Sequence, residues 1–213
     1  MGDNPTTSDV RPAASFRRGN GRLDRPAYDL DAVLDVAVAL FNERGYEATS
    51  ISALAERLGT SKSALYYHVS GKEELLARAL DRALDRLESV LEQATDAGGT
   101  AADRLAFVLR GAVGVLVDEL PSVTLLLRVR GNTDIERTAL RRRHDIDRAV
   151  TALVEAAQAE GSLRADLDPG TTSRLLFGMI NSIVEWYRPG GPLDARALAD
   201  ATVSVALDGL RSR

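Results

Sequence analysis

The side chains best suited to covalent or metal chemistry are scarce in this sequence. There are two histidines, His68 and His144, and no cysteine, so few partners exist for a nucleophile-and-base pair or a transition-metal site. Carboxylates are numerous, but they are scattered over segments with a helical pattern, where solvated charge is the ordinary role. The phosphate-binding patterns GxGxxG and GxxxxGK[ST] do not occur. We therefore expect neither catalysis nor a cofactor or metal.

The basic residues suggest a different chemistry, which is the binding of an anion. The 27 basic side chains are outnumbered by 31 acidic ones, so the net charge is −4 and the pI is about 5.3. Nucleic-acid-binding domains commonly have a pI above about 9. Only Lys62 and Lys72 are lysines, and the other basic residues are arginines, which favour bidentate contacts with phosphate or carboxylate. Bulk charge argues against a nucleic-acid partner, so the local pattern has to decide.

Helices are the elements that would position these residues. Apolar residues recur three and four positions apart, and the alternation typical of strands is missing. The sequence predicts an all-α protein of about nine helices, preceded by an arm over residues 1–28 that is rich in proline, glycine and arginine. The expected helices are about 29–44, 50–58, 61–68, 70–95, 100–120, a short one from 121, 134–160, 169–187 and 194–210.

Capping residues mark several of these helix starts. Asp168 before Pro169 is the pattern of an N-cap followed by proline at the first helical position. Spacings typical of capping boxes are Ser70 with Glu73, Thr100 with Asp103, and Thr133 with Glu136.

No stretch of the sequence has the pattern of a targeting or membrane segment. The start of the chain lacks the apolar run of a signal peptide. The longest apolar stretch, residues 106–117, is interrupted by Arg110 and is too short to span a bilayer. We expect a soluble cytoplasmic protein with no membrane partner.

The segment Ile51–His68 has the pattern of a helix-turn-helix. That motif needs a small residue in its first helix, here Ala55, and a glycine where the backbone turns, here Gly59. Thr60 or Ser61 would cap the second helix, whose first turn enters the major groove when such a motif binds DNA. The internal apolar contacts would be Leu54, Leu58 and Leu65. An ordinary helical hairpin would share the alanine and the glycine, so the flanking sequence is needed.

The flanking sequence closely resembles the N-terminal signature of the tetracycline-repressor (TetR) family. The resemblance covers about residues 29–80, with the turn, Leu-Tyr-x-His and the x-Lys-Glu-x-Leu start of the next helix at the family's spacing. Thr60 and Val69 replace the commoner valine and phenylalanine, and Ser63 stands where glycine is frequent. The resemblance implies a DNA-binding domain over residues 29–75 and a ligand-binding and dimerisation domain over residues 76–213.

The resemblance also implies roles for individual residues toward an operator in double-stranded DNA. Thr49 or Ser50 would bind phosphate at the start of the helix before the turn. Tyr66, His68 and Lys72 match positions that hold the phosphate backbone, although core packing is an alternative for Tyr66. The N-terminal arm could enter the minor groove or be a plain tail. Candidates for base reading are Lys62, Ser63, Ala64 and Tyr67, next to the caps Thr60 and Ser61.

The last two predicted helices are too apolar for the surface of a monomer. Pairing across a two-fold axis would bury this surface, and the family resemblance implies a four-helix dimer interface of that kind. Packing within the chain is the alternative. The apolar residues are Leu175, Leu176, Met179, Ile180, Ile183 and Val184, then Leu198, Ala201, Val205 and Leu210.

Two features bear on a small-molecule effector. Residues 128–148 hold seven arginines against four acids, and Arg137, Arg141, His144 and Arg148 would share one helical face. That face is either solvated, with pairs such as Arg141 and Asp145, or a seat for a ligand with several phosphates. The second feature, Glu-Trp-Tyr-Arg-Pro-x-Gly at residues 185–191, is similar to TetR relatives that control degradation pathways and sense acyl-CoA thioesters.

We therefore expect a homodimeric repressor that leaves a palindromic operator when an acyl-CoA binds. The alternatives are a TetR-type repressor of a lipophilic drug-like compound, a helical adaptor that binds protein, and a helical enzyme. Trp186 could equally be a core or interface aromatic. The expected effector residues are Phe107, Leu116, Arg128, Arg130, Arg137, Arg141, Phe177 and Trp186.

Overall fold

The computed structural model describes residues 29–211, so the predicted arm over residues 1–28 lies outside the described residues. Within that range the chain is helical, apart from loops and one isolated antiparallel bridge between Leu163 and Arg211. The all-α prediction is confirmed. The helices are α1 (Leu30–Arg44), α2 (Ile51–Leu58), α3 (Lys62–His68), α4 (Lys72–Asp96), α5 (Ala101–Asp118), α6 (Leu120–Arg128), α7 (Asp134–Ala159), α8 (Pro169–Asn181), α9 (Ile183–Trp186) and α10 (Ala195–Asp208).

The single turn α9 is the one place where the predicted helix count needs adjustment. The sequence predicts one helix from 169 to 187, whereas the described chain interrupts it at Ser182, whose hydroxyl donates to the Met179 carbonyl oxygen at 2.7 Å. Hydroxyl-to-backbone bonds of this kind compete with regular helical bonding. Counting α8 and α9 as one broken helix gives nine helices for residues 29–211.

Side-chain caps fix most helix starts, because the first backbone N–H groups of a helix have no partner within it. Thr100 and Asp103 form the full capping box that their spacing predicts. Thr133 accepts from the Glu136 N–H, and Asp168 caps α8 directly before Pro169. Thus the short polar residues that punctuate the sequence do set the boundaries.

The predicted capping box of Ser70 with Glu73 is wrong by one position. Gly71 is the N-cap residue of α4, so Glu74 rather than Glu73 occupies the third helical position. The backbone N–H and hydroxyl of Ser70 both donate to the Glu74 carboxylate, at 2.7 and 2.9 Å. These bonds, followed by the Arg78 guanidinium, lower the pKa of Glu74 to about 2.

Helix α4 joins the two parts of the molecule. Near its start Arg82 pairs with Asp31 and Asp35 of α1. Further along, Val90 lies against Gly111 of α5, where a β-carbon would overlap the valine methyl groups. The core is continuous through these contacts. A domain boundary at residues 75–76 therefore falls inside a helix that both parts share.

None of the helices described for residues 29–211 is long and apolar enough to cross a membrane.

Candidate DNA-binding and effector sites

The turn between α2 and α3 has the geometry that a helix-turn-helix requires. Gly59 is left-handed, with φ 63° and ψ 31°, a conformation that side chains with a β-carbon avoid. The Gly59 and Thr60 N–H groups both donate to the Ala55 carbonyl oxygen, which closes the end of α2. The predicted internal contacts Leu54, Leu58 and Leu65 are all buried. Helix α3 is thereby held across α2.

Helix α3 presents polar and aromatic side chains outward. Ser61 caps it by accepting from the Ala64 N–H, and Lys62 and Ser63 are exposed in its first turn. Tyr67 is 87% exposed and Tyr66 is 55% exposed. The alternative that Tyr66 packs in the core is therefore contradicted. We call the outward-facing residues the recognition surface: Ser50, Thr60, Ser61, Lys62, Ser63, Ala64, Tyr66, Tyr67 and His68.

Thr49 does not belong to this surface, although the sequence offers it as a phosphate ligand. It is 1% exposed, and its hydroxyl donates to the Gly45 carbonyl oxygen at 2.8 Å. Its backbone N–H donates to the Tyr46 carbonyl oxygen at 3.1 Å, so both donors of Thr49 are used within the α1–α2 loop. Ser50, which is exposed and caps α2, is the residue left in place at this helix start.

Lys72 is also tied into the protein. Its ammonium nitrogen lies 3.3 Å from the Tyr46 carbonyl oxygen and 4.3 Å from the Tyr46 ring centroid, with the Glu47 carboxylate at 3.8 Å. Burial, followed by Glu73 and Glu47, raises the pKa of Tyr46 to about 12. Sequence reasoning missed Tyr46, and its one signal was an aromatic residue five positions before the start of α2 at Ile51. Lys72 therefore fastens the α1–α2 loop to α4.

The acidic residues of α1 are neutralised within the protein. Glu43 pairs with Arg57 of α2 at 2.7 Å, and this bond lowers the pKa of Glu43. Asp31 and Asp35 share Arg82 at 2.9 and 2.7 Å. These pairs explain how an acidic first helix can lie next to a recognition surface that carries Lys62.

The predicted effector residues do not converge on one cavity. Leu116 is buried in the core along α5, whereas Phe107 and Trp186 are exposed. Arg128 donates to the Asn42 carbonyl oxygen of α1 at 2.8 Å, and Arg130 donates to the backbone of its own loop. Among them only Phe177 lines the cavity between α4, α6, α7 and α8. Whether a side chain faces a cavity depends on the rotation of its helix, and residue type does not give that rotation.

The cavity lies between α4, α6, α7 and α8 and has a volume of about 420 Å³. That volume is in the range of about 300–1,000 Å³ that small-molecule sites occupy. Its wall combines eight apolar or glycine residues with five polar or charged ones. The lining residues are Leu87, Val123, Leu126, Leu127, Leu140, Arg143, His144, Ile146, Asp147, Arg174, Phe177, Gly178 and Asn181.

A shallow basic depression of about 540 Å³ adjoins this cavity along the outer face of α7. Arg137, Arg141, Asp145 and Arg148 line it, and Leu140 and His144 line both the depression and the cavity. The predicted shared face of these basic residues is thus present. We call this region the arginine face.

The predicted pair of Arg141 with Asp145 is wrong. Asp145 pairs instead with Arg148 at 2.5 Å, whereas Arg141 donates to the Thr138 hydroxyl at 2.8 Å. Arg137 pairs with Asp134 at 2.5 Å. Arg141 is therefore the member of the arginine face that has no carboxylate partner among residues 29–211.

Sequence reasoning missed Arg142 and Arg143, which point in different directions from their neighbours. Arg142 reaches α4 and pairs with Asp81, Asp85 and Glu88 at 2.5–2.7 Å. Arg143 instead lines the cavity. Successive residues of a helix are about 100° apart, so one run of arginines serves the fold, the cavity and the open face.

Two family models match the chain. One, described as bacterial regulatory proteins of the tetR family, matches residues 33–79 and so contains the helix-turn-helix. The other, described as a tetracyclin repressor-like C-terminal domain, matches residues 98–210 and contains α5 to α10.

Individual proteins match over most of the chain. HTH-type transcriptional repressor KstR2 of Mycolicibacterium smegmatis is 26% identical over 190 residues, 87% of this chain and 92% of the relative. The crystal structure of SCO3833, a TetR-family member from Streptomyces coelicolor, is 52% identical with a TM-score of 0.78, covering 84% of this chain and 91% of that one. AibR in complex with isovaleryl coenzyme A and operator DNA is 25% identical with a TM-score of 0.70, covering 83% and 96%.

Proposed function

The chain belongs to the TetR family of DNA-binding transcriptional regulators, and on that premise we propose that it is a homodimeric repressor released from its operator by an acyl-CoA thioester. It acts in the cytoplasm without covalent chemistry. Effector binding favours a spacing of the two recognition helices that does not fit a palindromic operator, so the population of DNA-competent dimer falls.

The recognition surface supports the operator part of this proposal. Each α3 enters a major groove with its N-terminal turn, where Lys62, Ser63 and Tyr67 reach base edges. Ser50 and the α2 N-terminus hold the phosphate backbone, together with His68 and Tyr66. Lys72 keeps the loop between α1 and α2 in place. Because the chain is acidic overall, we expect weak non-specific binding with a strong salt dependence.

A fluorescence titration with promoter DNA from the protein's own locus tests this part. We expect Lys62→Ala and Tyr67→Ala each to weaken operator binding by roughly 10-fold or more, the effect of losing one good base contact. Arg164→Ala, which removes an exposed arginine paired only with Asp166, should bind as the wild type does. Absence of specific DNA binding by the wild type would favour the helical adaptor instead.

Exposed apolar residues on α8 and α10 support the homodimer. Leu175 is 69% exposed and Val205 is 70% exposed, although their neighbours Leu176, Ile180 and Leu198 are buried within the chain. A second copy would cover them. We expect a dimer in sedimentation-velocity measurements and a monomer after the double change Leu175→Glu and Val205→Glu. A wild-type monomer would contradict the proposal.

The junction of cavity and arginine face carries the effector part. An acyl group fits the apolar wall formed by Leu126, Leu127 and Phe177, and the phosphates of coenzyme A fit the arginine face. Because Leu140 and His144 border both, one extended ligand can occupy the two regions together. AibR, a structural neighbour, is seen bound to isovaleryl coenzyme A. Because the apolar cavity adjoins the basic arginine face, the site favours an acyl-CoA thioester over a neutral lipophilic compound.

Thermal-shift measurements with an acyl-CoA and its free acid test the effector. At a ligand concentration about 100 times Kd, binding should stabilise the fold by about 2.7 kcal/mol. We expect Gly178→Leu to abolish this shift while keeping operator binding, since a β-carbon at Gly178 meets open space in the cavity. Gly114→Leu, at a position that is also open, is the control. An equal shift by the free acid would contradict an acyl-CoA effector.

Repression is tested separately from DNA binding. Deleting the gene should raise transcription from the promoter that the protein binds, and lowered transcription would identify an activator.

A further inference from the structure

Arg143 differs from the other arginines of α7 in what surrounds its guanidinium. It lines the effector cavity, and its guanidinium donates to the Leu126 carbonyl oxygen at 3.3 Å. No carboxylate of residues 29–211 lies within ion-pairing distance of it. The preceding residue, Arg142, contacts three carboxylates. Arg143 therefore lacks a counter-ion because of its position in the cavity, since its neighbour on the same helix has three.

Burial makes this arrangement costly. Desolvation, followed by the nearby positive charge of Arg130, lowers the pKa of Arg143. An ion removed from water without a counter-ion destabilises a fold. One guanidinium N–H is taken up by the Leu126 carbonyl oxygen in the last turn of α6, whereas Leu126, Ile146 and Phe177 form the adjoining apolar wall. A buried charge that lowers the stability of the fold in this way is typical of a ligand-binding residue.

The remaining charges of the cavity point the same way. Arg174, also on the cavity wall, forms no ion pair within 4 Å among the described residues, although it lies close enough to Asp168 for the two charges to interact. Asp147 is the one carboxylate in the wall, and it already accepts from the Ser173 hydroxyl at 2.9 Å. The wall therefore carries two cations and one carboxylate, and since a hydroxyl bond leaves the charge of Asp147 in place, one positive charge remains in excess.

We propose that the acyl group of the effector itself carries a carboxylate, which enters the cavity and binds Arg143. The effector is then a coenzyme A thioester of a dicarboxylic acid. The apolar wall holds the alkyl spacer, Arg143 holds the distal carboxylate in bidentate geometry, and the arginine face holds the phosphates. This inference rests on the proposed effector site. It adds the chemical class of the acyl group.

Matched thioesters test the inference. The probes are three pairs of equal chain length: succinyl-CoA with butanoyl-CoA, adipoyl-CoA with hexanoyl-CoA, and suberoyl-CoA with octanoyl-CoA. Release of promoter DNA is followed by fluorescence anisotropy. We expect at least one dicarboxylic thioester to release DNA at a concentration 10-fold or more below that of its partner. Free succinate, adipate and suberate distinguish a free diacid from the thioester.

Variants of Arg143 locate the effect. Arg143→Met should remove the preference for the dicarboxylic thioester, and Arg164→Met should leave that preference unchanged. Arg143→Lys, which keeps the charge but loses the planar fork, should keep part of the preference. Without ligand, Arg143→Met should melt about 2–4 °C above the wild type because a desolvated cation is gone. That rise also shows that the variant folds.

The outcomes separate this inference from the proposed effector. If monocarboxylic thioesters act as well as dicarboxylic ones at every length, the inference is overturned and an acyl-CoA effector stands. If DNA binds but no thioester releases it, both fall. If a free diacid alone releases DNA, the carboxylate at Arg143 stands and the thioester falls. A preference that survives Arg143→Met at full size overturns the assignment to Arg143.

Discussion

The recognition surface and the effector cavity are built in opposite ways. The recognition surface comes from one short stretch, residues 50–68, and its side chains are exposed and rest on a small buried core. The cavity draws on residues from 87 to 181, spread over four helices. A DNA groove is a rigid partner that receives a protruding helix, whereas a small molecule has to be enclosed. A local motif can therefore specify the first site but not the second.

Charge is also handled differently in the two regions. Near the recognition surface the acids of α1 are matched by Arg57 and Arg82, which leaves Lys62 free to face a polyanion. Around the cavity the matching is uneven: Arg142 has three carboxylates and Arg143 has none. Net charge over the chain describes neither region, because each binding surface depends on its own few unmatched groups.

The largest predicted effect comes from comparing two residues of α3, one buried beneath the helix and one exposed on the recognition surface. Leu65 is 1% exposed and Tyr67, two residues later, is 87% exposed. Leu65→Ala should destabilise the fold by about 3 kcal/mol, since it leaves a cavity under the helix. Tyr67→Ala should leave the urea midpoint unchanged while weakening operator binding. A loss of stability in Tyr67→Ala would contradict the division of α3 into a buried supporting face and an exposed DNA-binding face.

The next effect concerns the arginine that joins α7 to α4. Arg142→Met should cost about 2 kcal/mol at pH 7, less than a fully buried pair, because the Arg142 side chain keeps 22% exposure. Arg148→Met, which removes one exposed pair, should cost well under about 1 kcal/mol. Urea unfolding measures both, and equal costs would contradict a structural role for Arg142.

The same variant has a defined pH dependence. Burial already raises the pKa of Asp81, and Arg142 opposes that shift. Without Arg142, nothing opposes the effect of burial and of the Asp85 and Glu88 charges, so the folded-state pKa of Asp81 rises further above that of the unfolded chain. The folded state then binds more protons, and stability returns as the pH falls. We expect the deficit of Arg142→Met to shrink between about pH 7 and pH 4, whereas a constant deficit would indicate lost packing.

Two glycines of α5 test how closely the effector region packs on α4. Gly111→Ala should destabilise by about 1–3 kcal/mol, because its β-carbon would overlap Val90. Gly114→Ala, one turn later in open space, should stabilise by up to about 1 kcal/mol through helix propensity. Thermal unfolding should show opposite signs. A stabilising Gly111→Ala would mean that α4 and α5 can separate without cost.

The smallest effect is expected at the start of α4, directly after the recognition helix. Ser70 and Arg78 hold the pKa of Glu74 at about 2, below its usual 4.5. A depressed pKa gives stability that is present above pH 4.5 and is lost as the pH falls toward 2. Glu74→Gln should therefore melt slightly below the wild type at pH 7, with the difference shrinking below about pH 4.5. Glu92→Gln, at an exposed position of the same helix, should show no such trend.

Local chemistry made much of the N-terminal part predictable. Gly59, the cap Ser61 and the apolar Leu54 and Leu65 each act within a few residues of chain, so their spacing alone places α2 across α3. The capping box of Ser70 failed because Gly71, which has no capping side chain, takes the N-cap position and shifts the register by one. Residue type signals a helix start more reliably than it signals the exact position.

Non-local chemistry explains the remaining errors. Thr49 has a sequence position suited to phosphate, but the fold of the α1–α2 loop turns its hydroxyl inward to Gly45. Phe107 and Trp186 have the residue types of a ligand pocket, yet the rotation of their helices leaves them exposed. In each of these cases the neighbour that decides the role comes from the packing of the chain.

The sequence by itself determined most of the helices and their caps, the helix-turn-helix and the cluster of arginines on α7. These follow from interactions within one or two helical turns, which spacing encodes directly. Only the tertiary structure decided which arginine pairs, which faces the cavity and which stays open. A guanidinium is matched or unmatched according to the carboxylates that other helices bring within about 4 Å, and that distance depends on how the helices pack.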